Sequence, residues 1–463
     1  MRILILPALL AVLAVASQGS VAHSDHRTVA LAAGQSTSQA QGTFKFAAAG
    51  DHSSGSRTAA SLALLDQSGV SFFLALGDMD YDSTPTDEAW CDYIKQRLPT
   101  LGPAFPFELV SGNHEEQGGS DGYIMNHAAC LPDRLNSTGV YAAQYYFDYP
   151  PSAPLIRVTM IPPHLTVESV HFNYTVGSVY CAWLSAAIDS ARTAGIPWVA
   201  VGMHKVCITS GDKSCEIGPD LMNLLVEKRV DLVLQGHDHN YQRSKQLALN
   251  GATCTAIPVG SFDADCVADD GADNSYLKGS GSVAVISGTF GQCCYTTDAS
   301  DPEAPYFARL NDNTNGYTQF TVSASRIDAQ FVPSIGTFTD SFSIVAGNDP
   351  DGDGFTDSVE AYVGTNPSDN CGSPQTLGPP SPSWPADLHT GFTTTNRLNI
   401  IDLASFVVPV RRINTVSGGT NYSARWDLNA NGTINVQDLA LVTFLRPPMF
   451  SGARAFNGPV CAP

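Results

Sequence analysis

Five short polar clusters, each directly following an apolar run, carry side chains of the kinds that bind metal ions. They read Gly50-Asp51-His52-Ser53, Gly77-Asp78-Met79-Asp80-Tyr81, Gly112-Asn113-His114-Glu115, Val201-Gly202-Met203-His204 and Gly236-His237-Asp238-His239. Carboxylate, amide and imidazole groups gathered in one place suit a pair of divalent or trivalent cations. Taken singly, the residues say little. Asp51 would be a turn or cap residue, Tyr81 a core ring, Asn113 and His114 an ordinary turn, and His204 a satisfied core histidine. Gly236 to His239 alone would attract notice in isolation. Chance accounts for one such cluster easily and for the ordered set poorly.

The apolar runs before these clusters, FKFAAAG, FFLALG, FELVSG, WVAVGM and VDLVLQG, read as buried strands. Side chains emitted from the ends of adjacent strands converge on one edge of a sheet, which is where the clusters would meet. From Thr43 to about Val345, strand-like runs alternate with helical ones, Arg57 to Gln67 and Pro219 to Lys228 among them. Ile156 to Ile161 and Ser282 to Ile286 read as extended, and YTQFTVS, RIDAQFV and FTDSFSIV read as successive antiparallel strands. The alternation predicts an α/β core.

At 463 residues the chain is too long for one core, so two or three domains are expected. A formal charge of −20 argues against nucleic acid as a partner and leaves no polybasic membrane surface. Met1-Arg2 followed by ILILPALLAVLAVA, with small residues around Ala22, predicts a secretory signal peptide over 1–22 and a Ser/Gln/Ala-rich leader over 23–42. No other segment is long and apolar enough to span a bilayer, so an exported chain without a transmembrane segment is expected. Eleven cysteines agree with an oxidising compartment. Cys207–Cys215 and Cys254–Cys266 are the expected bridges, adjacent Cys293 and Cys294 are not expected to pair, and Cys371 with Cys461 could staple the C-terminal region.

After about residue 346 the composition changes. Asp349, Asp351, Asp353, Phe355, Asp357 and Glu360 occupy positions 1, 3, 5, 7, 9 and 12 of a calcium loop, with Gly354 at position 6. The segment 347–370 resembles EF-hand and thrombospondin type 3 calcium loops. A Pro/Ser-rich linker over 371–385 follows. Beyond it, RLNIIDLASFV at 397–407 recurs as TINVQDLALVT at 433–443, an internal duplication. Asp427, Asn429, Asn431, Asn435 and Asp438 fall on the calcium positions of the second copy, around Gly432. In the first copy only Asn399 and Asp402 keep good oxygen donors, so weak or absent calcium is expected there. Residues 386–463 resemble a dockerin-type module, which implies a small helical calcium-loop domain with a cohesin-like or cell-surface partner.

The five clusters, with Gly-His-x-His running into Asn240-Tyr241-Gln242-Arg243, resemble the calcineurin-like metallophosphoesterase superfamily over 43–346. Two details resemble its purple acid phosphatase branch. Other branches usually carry a ligating histidine where Ser53 stands, and purple acid phosphatases, which usually have glycine there, carry a metal-bound tyrosinate where Tyr81 stands. The resemblance implies a four-layer sandwich, two mixed β-sheets flanked by helices. It implies a first ion, Fe3+, held by Asp51, Asp78, Tyr81 and His239. A second, Zn2+, Fe2+ or Mn2+, would be held by Asp78, Asn113, His204 and His237, with Asp78 bridging. His114 would steady the transition state and help protonate the leaving group. His52 should point away from the ions. Asp80, Glu115, Glu116 and Lys205, beside ligands, could support them or touch substrate but are expected to be solvated surface residues, and His164 and His171, which could line the pocket, are expected outside it. The implied reaction is hydrolysis of phosphomonoesters by in-line attack of a hydroxide generated between the two ions. Phosphodiesters or nucleotides are the alternative substrates, and a calcium-dependent scaffold with an idle hydrolase domain is the alternative from another class.

Overall fold

The computed structural model describes residues 42–347, 356–366, 388, 400–428, 433–435, 438–439 and 442. Two sheets face each other across an aromatic core. The first runs in the spatial order Ser275–Leu277, Ser341–Val345, Arg326–Ile335, Asn315–Val322, Phe44–Ala49, Phe72–Leu76, Phe107–Val110. The second runs Phe307–Asn311, Tyr241–Ser244, Val283–Ser287, Leu232–Gln235, Trp198–Met203, Ile156–Met160, Tyr145–Tyr149, Thr138–Gly139. Both are mixed. Phe44–Ala49, Phe72–Leu76 and Phe107–Val110 are mutually parallel, and so are Ile156–Met160, Trp198–Met203, Leu232–Gln235 and Val283–Ser287. The expected α/β sandwich of two mixed sheets with flanking helices is the architecture observed.

Alternation along the strands builds three apolar layers. Phe46, Phe72, Leu74, Val158, Trp198, Leu234 and Phe320 point between the sheets. Phe46 stacks on Phe72 and Phe320 at centroid distances of 5.0 and 4.7 Å. The intervening Ala47, Phe73, Leu109, Val201 and Val233 face the helices outside. Two of those helices cap themselves. Thr86 accepts from Ala89 N at the start of Asp87–Gln96, whose first turn is acidic and whose last carries Lys95, and Ser178 does the same for Val179–Thr193. No described helix is long and apolar enough to cross a membrane.

Cys207–Cys215 and Cys254–Cys266 are bonded, as expected from spacing. Cys91–Cys130 was not anticipated and ties two helices together. Cys293 and Cys294 pair with each other, contrary to expectation. Neighbouring side chains diverge in extended chain, but residues 292–297 follow an irregular path outside any strand. Cys371 and Cys461 lie outside the described residues, as do the expected signal peptide and nearly all of the expected leader.

The C-terminal region has its own core. Val359 and Val363, on helix Asp357–Val363, share it with Leu388, Phe406, Leu428, Ile434 and Val442. The helix Asp357–Val363 is therefore packed on the duplicated segment. Besides helices, this region holds a short antiparallel pair, Thr415–Val416 with Thr433–Ile434.

Candidate metal centre

All five clusters lie at the carboxyl ends of parallel strands. Asp51, Asp78 and Asn113 follow three neighbouring strands of the first sheet, while His204 and His237 follow two neighbours of the second. The apolar strand positions set the register, so the first residues beyond the ladder enter the cleft between the sheet edges. The turns there are sharp. Asp51, Asp78, Tyr81 and His237 all have left-handed backbone, with φ of 66°, 53°, 56° and 69°. Gly77 (φ 84°) and Gly112 make room, since a Cβ on either would collide with His204 or with the Asp78 carboxylate.

Two groups of donor atoms result, and Asp78 belongs to both. In the first, Tyr81 Oη lies 2.8 Å from Asp51 Oδ1, 2.9 Å from Asp78 Oδ2 and 3.0 Å from His239 Nε2. His239 Nε2 is 3.2 Å from Asp51 Oδ1. In the second, His204 Nε2 lies 3.2 Å from Asp78 Oδ1, 3.1 Å from Asn113 Oδ1 and 3.0 Å from His237 Nδ1. Donors about 2.0–2.2 Å from one ion stand roughly 3–3.5 Å from one another, so both groups have the spacing of a coordination shell. Each Asp78 oxygen faces a different group. All seven residues proposed from sequence as transition-metal ligands come together here.

The electrostatics match. Burial favours a neutral Asp78, but His204 and His114 outweigh it and hold its carboxyl below the usual range. Asp51 is likewise opposed by burial and lowered by His239. Burial disfavours charge on His204, yet Asp78, Asp51 and Glu115 push it up to about 9. Burial, then Asp51 and Asp78, drive the Tyr81 phenol well above its ordinary value. As a plain hydroxyl it keeps its proton, so ligation would require a strongly charged cation in the proton's place.

His114 stands at the rim, 29 % exposed, with Nε2 3.6 Å from Asp78 Oδ2 and its ring 4.4 Å from that of Tyr81. Its Nδ1 contacts the Asp121 carboxylate, which leaves Nε2 facing the cleft. His52 turns away as expected, among Phe73, Trp90 and Phe290, where burial lowers it to about 4.

Two supposed surface acids are buried instead. Glu115 accepts from the backbone N–H of Gly112, Asp78 and Met79 at 2.6, 2.9 and 3.2 Å, tying two ligand loops together. Burial, then Asp78, raises it to about 8. Asp80 accepts from Ser83 Oγ, Thr84 N and Thr84 Oγ1, closing the turn that carries Tyr81. Lys205 pairs with Glu216 at 3.5 Å and is mostly covered, and Glu116 accepts from Thr166 N. His164 and His171 face each other, 5.8 Å between rings, beside the hairpin Thr166–His171. Sequence reasoning missed Asp121, Glu216 and Tyr295, whose ring stacks on His239 at 4.1 Å. None has a motif, though Glu216 directly follows a bridged cysteine.

Residues 44–241 match the family described as Calcineurin-like phosphoesterase. This part of the chain is thus similar to calcineurin-like phosphoesterases. An uncharacterized protein of Mycobacterium tuberculosis is 30 % identical over 206 residues, 41 % of this chain and 38 % of that protein. Purple acid phosphatase 18 of Arabidopsis thaliana is 25 % identical over 238 residues, 48 % and 49 % of the two chains. A nucleotide pyrophosphatase/phosphodiesterase of Hordeum vulgare is 24 % identical over 287 residues, 58 % and 70 %. The chain thus spans about half or less of the first two relatives. Residues 349–370 match the Bacterial TSP3 repeat. Of the residues expected from sequence to bind calcium, Asp349, Asp351, Asp353, Phe355, Asn429 and Asn431 lie outside the described residues. Asp427 is buried, with Tyr362 and Tyr422 hydroxyls donating to it at 3.0 and 2.6 Å, and Asp438 accepts from Asn435 N. Asp357 starts the helix Asp357–Val363, and Glu360 is buried within it.

Proposed function

We propose that the metallophosphoesterase domain is an exported acid phosphatase of purple acid phosphatase type, acting on phosphomonoesters. One observation carries the reading: the two oxygens of Asp78 serve two donor groups of different chemistry. The group around Tyr81 and Asp51 is oxygen-rich and anionic and suits Fe3+, while the group around Asn113, His204 and His237 is neutral apart from Asp78 and suits Zn2+, Fe2+ or Mn2+. Bound there, the ions would supply an activated water and neutralise charge on the phosphoryl oxygens.

The protein's own groups do the rest. Asp78 sets the separation of the two donor groups, and Glu115 locks the loop carrying it to the loop carrying Asn113. His114, aimed by Asp121, presents Nε2 at the open side, where it can donate a hydrogen bond to a phosphoryl or leaving oxygen. Export is supported by the N-terminal apolar segment and by bridges such as Cys91–Cys130.

The full chain loaded with iron and zinc should absorb in the visible through its tyrosinate and hydrolyse aryl and alkyl phosphomonoesters. Tyr81→Phe should abolish the band. A colourless, active wild type would overturn the Fe3+–tyrosinate assignment, and two bound ions without hydrolysis of any ester would overturn the enzymatic reading. A second reading, phosphodiester or nucleotide hydrolysis, is favoured by the barley relative. A faster rate on diesters than on monoesters in the same panel would select it. Calcium in the loops beginning at Asp349 and Asp427 is supported by the TSP3 match and the ligand spacing. Calorimetric titration of the full chain with calcium should show binding, and absence of heat or of any shift in melting temperature would refute it.

A further inference from the structure

The two imidazoles of the second donor group are aimed by different means. His204 Nδ1–H donates to the Leu76 carbonyl at 2.8 Å, so its Nε2 lone pair faces Asp78 and Asn113. His237 turns Nδ1 toward the same point, and its Nε2 reaches Glu216 Oε1 at 2.8 Å. A backbone carbonyl orients one ring and a side-chain carboxylate the other. We propose that Glu216 is a positioning residue for the second metal ion, accepting the Nε2–H of His237 and so holding the tautomer whose Nδ1 lone pair faces the donor group.

The argument rests on the dinuclear reading above and deepens it. A carboxylate behind a ligating imidazole fixes its tautomer and raises its basicity. Here it also places negative charge behind a group whose own donors, apart from Asp78, are neutral. Glu216 is itself held. The Cys207–Cys215 bridge closes the preceding loop, Glu216 N donates to the Val206 carbonyl at 2.9 Å, and Lys205 Nζ sits 3.5 Å from Oε2. That loop begins beside His204, so one bridge braces both imidazoles of the group. Lys205 fits the same role, because it steers the second carboxylate oxygen away and leaves Oε1 for His237.

The test is metal retention by the full chain. Wild type, Glu216→Gln and Glu216→Ala are loaded with zinc, bound metal is counted, and affinity is measured by competition with a chelator. Wild type should hold two ions. Glu216→Ala should bind the weaker of them about 10–100-fold less tightly while retaining the other, with the melting temperature of the metal-free protein unchanged. Glu216→Gln, which keeps an acceptor oxygen but not the charge, should fall between. If both variants hold two ions as tightly as wild type, the positioning role is wrong while the dinuclear centre stands. If wild type itself does not hold two, the dinuclear reading fails. Should Glu216→Ala fold poorly, the affinity of Glu216→Gln decides.

Discussion

The first sheet sends Asp51, Asp78, Tyr81 and Asn113 into the cleft, oxygen donors throughout, whereas the second sends only the imidazoles of His204, His237 and His239. The two edges are also built differently. The oxygen edge is laced to the backbone around it: His237 N donates to Asp51 Oδ2 across the cleft, and His114 N to Asp78 Oδ1. The imidazole edge is aimed through its far nitrogens, by Leu76 O and Glu216. Loss of a carboxylate should therefore disturb loops on both sides of the cleft, while loss of an imidazole should subtract one ligand and little else.

Asp78→Ala is the most severe way to break that contrast, because Asp78 serves both groups. Both ions should be lost and activity should fall by more than about 10⁴-fold, read as metal content and kcat/KM. Asp51→Asn and His204→Ala sharpen it. Each should cost about 10²–10³-fold in rate and weaken one ion selectively, but only Asp51→Asn should also lower the melting temperature of the metal-free protein. Equal melting would show that the oxygen edge has no special structural part. His114→Ala should keep both ions and lose about 10²–10³-fold, less with an activated leaving group such as p-nitrophenolate. A loss independent of the leaving group would confine His114 to binding.

The smallest effect lies away from the cleft, on the first sheet. Burial raises Glu108 to about 8, and Arg134 N is its neighbour on only one oxygen. A carboxyl raised in the folded state binds its proton there when the unfolded chain has released it. Stability therefore falls as pH climbs from the ordinary value near 4.5 through about 8. Glu108→Gln should remove that fall and melt about 2–4 °C higher than wild type above pH 8, with no difference near pH 4.

The strand-end clusters were legible because each is local: an apolar run, a glycine and a ligand type within a few residues. Tyr81 was readable through its spacing from Asp78. Glu115 and Glu216 were not, since partners that bury them come from other loops, and Asp80 was missed although its partners Ser83 and Thr84 are local. Glu115 looks like surface acid in Asn113-His114-Glu115-Glu116 until the loops of residues 78 and 112 close over it. Cys293–Cys294 was misjudged for a different reason, since adjacency in sequence says nothing of the path that an irregular segment takes. Likewise Arg243, in the motif after His239, is a buried partner of Asp340 and Tyr276 far from any ligand role.

The left-handed backbone at Asp51 and Asp78 bears on how such a centre decays. Among residues with a Cβ, asparagine and aspartate enter that region most readily, and longer or branched side chains enter it at a cost of about 1 kcal/mol or more. Drift at these positions is thereby channelled toward asparagine and glycine. A descendant losing its chemistry would first surrender charge while keeping the backbone turn at these positions, its loops less tightly laced than those of an active one.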